Sequence, residues 1–169
     1  MKKLLLILFV LPTLIIAQMQ IGNDINGEAA NDQSGWSVSL SNNGSIIAIG
    51  ARLNDDNGSN SGYVRVYENI SGTWTQIGSD IDGERVDDTS GASVSLSSDG
   101  SIVVIGAPTN TYSGYPGYVR VYENVSDTWT QIGADINGEA ANDISGSSVS
   151  LSSNGSVVAI SAVYNDVMV

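Results

Sequence analysis

The chain lacks both cysteine and histidine, and only six of its 169 residues are basic. Without cysteine there can be no disulfide, and without either residue there can be no metal site built from thiolate or imidazole ligands. A nucleophile activated by a histidine base is excluded for the same reason. The fold must therefore be held by packing and hydrogen bonds, and any bound metal must be a cation with oxygen ligands.

The first 17 residues have the composition of a secretory signal peptide. Lys2 and Lys3 precede an apolar run at residues 4–16, which is followed by Ala17. The run is shorter than the roughly 20 residues that a membrane-spanning helix needs, so a membrane anchor is the weaker interpretation. We therefore predict a secreted or cell-surface protein without a transmembrane segment.

The charge of the chain argues against polyanionic partners. Once the signal peptide is removed, four basic and eighteen acidic residues remain, a net charge of −14. Such a surface repels nucleic acid and anionic lipid. We expect no nucleic-acid binding, and the remaining partners are an extracellular protein or a glycan ligand.

An internal repeat dominates the sequence. The tripeptide Gln-Ile-Gly occurs at residues 20–22, 76–78 and 131–133, which gives periods of 56 and 55 residues. Repeats of about this length that contain several short strands are typical of β-propeller blades. A blade cannot cover its own apolar faces, so each unit needs its neighbours for stability.

The second unit shows the strand pattern most completely. Its predicted strands are residues 93–97, 102–105, 117–123 and 129–132, where apolar and polar residues alternate or β-branched residues form a run. Asp99 and Gly100 favour a tight hairpin between the first two strands, because both residues tolerate positive φ. Four antiparallel strands joined in this way make one propeller blade.

This template predicts an all-β protein made of four-stranded antiparallel blades, here an incomplete propeller of roughly two and a half blades. The predicted segments are the signal peptide (1–17), an orphan outer strand and inter-blade loop (18–34), blade 1 (35–78), a loop and blade 2 (79–133), and a loop and half of blade 3 (134–169). We expect a fragment whose open edges favour edge pairing or oligomerisation.

Three segments of the second unit carry a family resemblance: residues 90–94, 106–108 and 117–122 resemble the FG-GAP repeats of integrin-alpha-type β-propellers. The unit is also similar to the tandem repeats of large secreted bacterial surface proteins. The resemblance implies a propeller of about seven blades, an extracellular location, and ligand binding or adhesion rather than catalysis. The family's acidic calcium loop is replaced here by Asn-Gly or Asp-Gly pairs, so we assign no calcium to those hairpins.

The inter-blade loop contains the candidate metal site. Asp80, Asp82, Glu84 and Asp88 place oxygen donors around a glycine turn, as a Ca²⁺ site requires, which makes calcium the one possible cofactor. The glycine comes too early for an EF-hand, and side chains in a repeated turn usually cap backbone groups, so turn chemistry is the alternative. The acidic loop at 54–59 is a second candidate for a cation.

The connection between the second and third strands is the candidate ligand-binding region. It is acidic at residues 54–59 but carries Tyr112 and Tyr115 in the next unit. Loops that vary on a fixed scaffold commonly determine binding specificity. Trp74 and Trp129 occupy equivalent strand positions, which favours packing between blades over sugar stacking. Trp36 has no counterpart in the other units.

The sequence contains no catalytic constellation, and nearly every acidic residue recurs with the repeat. We therefore predict a noncatalytic binding or adhesion module. A structural repeat segment of a larger extracellular protein is the first alternative. An extracellular hydrolase is the second, and it is weaker because an active site needs residues that the repeat does not duplicate.

Overall fold

The computed structural model describes residues 20–109 and 114–165, and it shows twelve strands and no helix within these ranges. The first unit contains β1 (Ser34–Leu40), β2 (Ile46–Ala51), β3 (Tyr63–Ile70), β4 (Thr73–Gln76) and β5 (Ile81–Asp82). The second contains β6 (Ser93–Leu96), β7 (Ile102–Ala107), β8 (Tyr118–Val125), β9 (Thr128–Gln131) and β10 (Ile136–Asn137). The third contributes β11 (Ser145–Leu151) and β12 (Val158–Ala162).

Each complete unit is one antiparallel sheet with the same topology. Strands β1, β2, β3 and β4 pair in chain order, and the short β5 pairs with the free half of β3. Strands β6 to β10 repeat this arrangement, and β11 pairs with β12. The all-β prediction and the blade topology are therefore confirmed, in the form of open sheets that do not close into a ring.

Each complete unit contains a short fifth strand that the sequence pattern did not indicate. After β4 the chain turns at Gly78, which has φ of +70°, and then pairs with β3 again as β5. β10 does the same with β8 in the second unit. The sequence prediction placed these residues in an inter-blade loop, because two paired residues are too few to show a period-two pattern.

The hairpins between the first two strands of each unit are built on one side chain. Gly100 has φ of +75°, whereas Asp99 keeps a negative φ, so only one of the two central residues uses the left-handed region. The Asp99 carboxylate accepts hydrogen bonds from Ser97 Oγ, Ser101 N and Ser101 Oγ. These three bonds hold the pKa of Asp99 down at about 2. Asn43 and Asn154 accept the equivalent bonds in the other units.

The main core lies between the first and second sheets. Alternate residues of β2 and β3 face the second unit, and they meet the opposite face of β6 and β7. The buried members of this cluster are Ala48, Val64, Val66, Ile81, Val94, Leu96, Val103 and Ile105. Each blade therefore contributes one face to the interface on either side of it, as a stacked repeat requires.

The innermost strands of successive units approach closely enough for backbone contact. Ser37 Oγ donates to the carbonyl of Gly91 at 2.7 Å, and Ser93 Oγ donates to the carbonyl of Gly146 at 2.8 Å. A Cβ on Gly106 would lie 2.1 Å from the carbonyl oxygen of Gly146, so this position requires glycine. These contacts fix β1, β6 and β11 side by side on the inner side of the stack.

Some predictions fall at or beyond the limits of the described residues. The proposed signal peptide, residues 110–113 of the second-unit loop, and residues 166–169 lie outside them. Residues 20–22, predicted as an orphan outer strand, have no strand pairing within the described residues. In the part of the chain that the structure describes, no helix is long and apolar enough to cross a membrane.

Candidate functional site

Asp80, the first of the predicted calcium ligands, is bound by an arginine. Arg65 on β3 donates from Nε and Nη2 to the two carboxylate oxygens of Asp80, at 2.9 and 2.7 Å. Gln76 Nε2 adds a third bond at 2.7 Å. Burial acts to raise the pKa of Asp80, but the bonds from Arg65 and Gln76 outweigh it and the pKa is lowered. Asp80 is therefore half of a bidentate ion pair.

The same ion pair recurs in the second unit. Arg120 donates to both oxygens of Asp135 at 2.7 and 2.8 Å, and these bonds lower the pKa of Asp135. Gln131 completes the set at 2.9 Å. A constellation that recurs at equivalent positions with the same partners belongs to the scaffold of the repeat.

The other acidic residues of the candidate metal site have separate environments. Glu84 reaches Arg120 at 2.8 Å, and so joins the inter-blade loop to the blade that follows it. Glu28 makes the equivalent contact with Arg65. Asp82 is exposed on β5, and its pKa is raised by partial burial and by the nearby carboxylates of Asp80, Asp56 and Glu28.

Asp88 is almost fully buried and acts as a turn cap. Its Oδ2 accepts hydrogen bonds from the backbone N–H groups of Glu84 and Arg85, at 3.1 and 2.8 Å. The hydroxyl of Tyr118 donates to the same oxygen at 2.7 Å, and burial together with this contact raises the pKa of Tyr118. Asp88 thus connects the inter-blade loop to β8 of the next sheet.

The structure does bring one group of carboxylates together, across two loops. One oxygen each from Glu28, Asp56 and Asp80 lies within 4.8 Å of the others, and Asp56 comes from the acidic 54–59 loop. Arg65 is in contact with two of the three carboxylates, and its pKa is raised because Asp80 and Glu28 stabilise its charge. A cation here would have to compete with Arg65, so calcium binding stays a prediction.

The 54–59 loop is a preorganised structure at the end of the first sheet. Asn54 is buried, accepts a bond from Asp56 N at 2.9 Å and donates to Asp32 at 3.1 Å. Asp55 accepts from Asn60 N at 2.8 Å. The loop therefore presents its remaining polar groups from a fixed backbone, and it lies at the same end of the blades as the second-unit loop that begins at Pro108.

A pocket of about 460 Å³ opens at this end of the inner strands, and we call it the axial pocket. Its wall includes Trp36, Ala92 and Ser147, which occupy equivalent positions in the three units. The guanidinium of Arg52 lies 3.4 Å from the centroid of the Trp36 ring, and Arg52 Nε donates to Gln33 Oε1 at 2.8 Å. Trp36 and Arg52 both depart from the repeat in the same unit, and the structure brings their side chains together, which the sequence did not predict.

The two strand tryptophans bridge neighbouring units. Trp129 Nε1 donates to the carbonyl of Ile77 at 2.9 Å, and Trp74 Nε1 donates to the carbonyl of Ile21 at 3.1 Å. Each indole therefore bonds the segment that ends the preceding unit. The prediction that these residues pack between blades agrees with this geometry, and the axial pocket contains neither of them.

Comparison with known proteins agrees with the blade topology. The family model of the FG-GAP repeat matches residues 26–67, a stretch that runs from the first inter-blade loop to Tyr67 on β3. The comparison with curated proteins gives no match. The matched stretch contains both halves of the Glu28–Arg65 contact, and its strands recur in the second unit with the same pairing. Residues 26–67 therefore resemble an FG-GAP-type repeat, and the match is confined to that stretch.

Proposed function

We propose that the protein is a secreted or cell-surface module that binds a protein or glycan ligand without catalysis. One observation carries the proposal: the connections between the second and third strands differ between units, whereas the sheets that hold them repeat. The 54–59 loop is acidic and internally hydrogen-bonded, and the second-unit loop is rich in glycine, proline and tyrosine. Variation confined to loops on a rigid scaffold is typical of a binding surface.

A noncatalytic role is supported by what the acidic residues do. Asp80 and Asp135 are paired with arginines, and Asp88 caps a turn. Each carboxylate satisfies a structural partner, so none of these three is poised as a general acid or base. The same pairing occupies Arg65 and Arg120, which supports the expectation that nucleic acid is not a partner.

Secretion is supported by the composition of the first 17 residues and by the FG-GAP repeat, a module typical of extracellular and surface proteins. Expression of the full chain in a secreting host tests it. We expect a product in the medium whose N-terminus follows Ala17. A product that stays in the cell with Met1 intact would contradict this part of the proposal.

The binding role is tested with arrays of glycans and extracellular proteins probed with the purified chain. A hit should weaken when residues 54–59 are replaced by a Gly-Ser segment of the same length. Asp99→Asn is the matched control, because Asp99 lies in a hairpin at the opposite end of the strands and the other units have asparagine there. If no ligand binds, or if the loop variant and the control behave alike, the loop-face proposal is wrong.

A structural segment of a larger assembly is the second candidate, and the outer faces of the stack favour it. Val38 and Leu40 are 60% and 56% exposed, whereas their second-unit counterparts Val94 and Leu96 are 9% and 7% exposed because the first unit covers them. Ser148, the third-unit counterpart of Ser37, lies at the other end of the stack. It is exposed, whereas Ser37 donates a hydrogen bond to the second unit. We propose that a second copy of the chain docks head to tail through these two surfaces.

The oligomeric state in solution tests this docking. Light scattering after gel filtration should show multimers whose fraction rises with concentration, and Val38→Glu with Leu40→Glu should yield monomers. Exposed serine on the opposite face offers no compensating charge, so the substitutions should not create a new interface. A wild-type chain that is monomeric at all concentrations would rule out docking to a second copy.

A further inference from the structure

Two residues of the first unit depart from the repeat together. Trp36 stands where the other units have Ala92 and Ser147, and Arg52 stands where they have Pro108 and Val163. The two side chains are in contact, with the guanidinium stacked on the indole at 3.4 Å. They are sixteen positions apart in the sequence, and the pairing of β1 with β2 brings them together. Packing shared by all units cannot account for a pair that only one unit contains.

Arg52 differs in charge environment from the strand arginines. Arg65 and Arg120 are each in contact with two carboxylates. Among the described residues no carboxylate lies within ion-pair distance of Arg52, whose only hydrogen-bond acceptor is the Gln33 side-chain oxygen. Stacking on Trp36 and the bond to Gln33 hold the guanidinium in place, with Nη1 and Nη2 unbonded to the described residues. Burial without a compensating carboxylate lowers the pKa of Arg52, which nevertheless stays cationic.

The rest of the axial pocket suits a hydroxylated ligand. Asn60 and Thr89 line it with amide and hydroxyl groups. Asp87, also in the wall, accepts a bond from Asn60 Nδ2 on Oδ1 at 2.9 Å, and its Oδ2 accepts none from the described residues. Trp36 is 52% exposed although Arg52 covers one face of its ring. The wall therefore combines a fixed cation, carboxylate and amide acceptors, and an exposed aromatic surface.

We propose that the axial pocket binds an acidic sugar residue of a glycan, with its carboxylate on the Nη groups of Arg52. The inference rests on the proposed binding function and names the ligand class for one part of the same face. Sugar hydroxyls donate to Asp87 Oδ2, and the apolar face of the sugar ring packs on the exposed part of Trp36. At about 460 Å³ the pocket accommodates one or two sugar residues.

An acidic peptide is the competing ligand, and the composition of the wall argues against it. A peptide carboxylate would use Arg52, but a peptide offers only one backbone N–H donor per residue to the free oxygen of Asp87. A sugar residue supplies several hydroxyl donors within one ring, which matches the acceptors that line the pocket. The chain has a strongly negative net charge, which repels anionic ligands, and Arg52 is an uncompensated cation in a concave site. One such arginine limits binding to ligands with a single local negative charge.

The experiment is a calorimetric or NMR titration of the full chain with a glucuronate-terminated oligosaccharide. Its neutral glucose-terminated counterpart and a glutamate-rich tetrapeptide are titrated in parallel. We expect the acidic sugar to bind at least tenfold more tightly than the other two, with affinity falling as salt is raised. Arg52→Met should weaken binding by roughly tenfold to a hundredfold, because it removes a charge-assisted bidentate contact.

The matched control is Arg85→Met. Arg85 is also stacked on a ring, 5.3 Å from the centroid of Tyr115, and it does not line the axial pocket. Arg85→Met removes the same charge from the chain, so a loss of affinity that is seen only in Arg52→Met cannot come from the change in net charge. The thermal unfolding of both variants is measured to establish that each is folded.

The inference is wrong if folded wild-type chain does not bind the acidic sugar, or if it binds the neutral sugar equally well or the peptide more tightly. It is also wrong if Arg52→Met and Arg85→Met weaken binding equally. If array ligands bind through the 54–59 loop while Arg52→Met has no effect, this inference fails and the proposed function stands. If no ligand binds in either experiment, both fail.

Discussion

Two glycines at the same position of the repeat allow the energy of blade packing to be measured. Gly78 and Gly133 have φ of +70° and +71°, and each follows the fourth strand of its unit. A Cβ on Gly78 would lie 2.8 Å from the carbonyl oxygen of Asp127 and 3.1 Å from Trp129 Cδ1. A Cβ on Gly133 would meet no described atom within 4 Å. Among the described residues, the two positions therefore differ in whether the fourth-strand hairpin of the next unit packs against the glycine.

Alanine at either position should cost stability, but by different amounts. Both variants place a Cβ in the left-handed region, which costs about 1–2 kcal/mol. Gly78→Ala also forces a contact into a packed interface, which adds about 1–3 kcal/mol. Trp129 cannot move away without cost, because its Nε1 is bonded to the carbonyl of Ile77. We expect Gly133→Ala to lower the free energy of unfolding by about 1–2 kcal/mol and Gly78→Ala by about 2–5 kcal/mol.

Urea unfolding followed by circular dichroism gives both values, and the indole N–H resonance of Trp129 reports the interface directly. That resonance should shift in Gly78→Ala and stay unchanged in Gly133→Ala. If the two variants lose the same stability within about 0.5 kcal/mol, the close approach of the second unit to Gly78 does not exist in solution and the described stacking of blades is wrong.

Three further predictions follow from single side chains. Tyr118→Phe removes the hydroxyl that donates to buried Asp88 and should lower the free energy of unfolding by about 1–3 kcal/mol. Tyr63→Phe should cost little, because the buried Tyr63 hydroxyl makes no hydrogen bond with the described residues. Equal urea midpoints for the two variants would contradict this. Asp99 has a folded-state pKa of about 2 against about 3.9 when unfolded, so its contribution is present above pH 4 and is lost as the pH falls through 2. The stability difference between wild type and Asp99→Asn should therefore change across that window in acid titrations, and a constant difference would refute the hairpin bonds. Calcium or a chelator should leave the thermal midpoint unchanged because Arg65 already neutralises Asp80, and a rise with calcium that disappears in Asp80→Asn would instead support the metal site.

The strands of the blades could be predicted because their information is local. Alternation and β-branched runs mark β6 to β9 within a few residues of their observed limits, and the repeat transfers those limits to the other units. The short β5 and β10 could not be predicted, since each consists of two residues and is defined only by its partner strand. A strand can therefore be predicted from sequence where it is long enough to show the alternation of apolar and polar residues.

The roles of the acidic residues could not be predicted for a different physical reason. A carboxylate beside a glycine turn has the same sequence pattern whether it binds a cation, caps a turn or pairs with an arginine. Asp80 pairs with Arg65 because β3 runs antiparallel beside the turn, which places two residues fifteen positions apart at bonding distance. The contact between Trp36 and Arg52 likewise depends on the register of β1 against β2.

The repeat itself separates the residues that hold the blades from those available for recognition. Where two units carry the same residue with the same partners, as Arg65 and Arg120 do, a substitution disturbs the stacking of blades and its effect on binding is indirect. Arg52 has no equivalent in the other units, and its contacts are with Trp36 and Gln33 of its own unit. Its loss should therefore leave the interfaces between units intact. A specific ligand can be selected at such a position without altering the contacts that every blade needs, so the axial pocket is where this chain can acquire specificity at the smallest cost in stability.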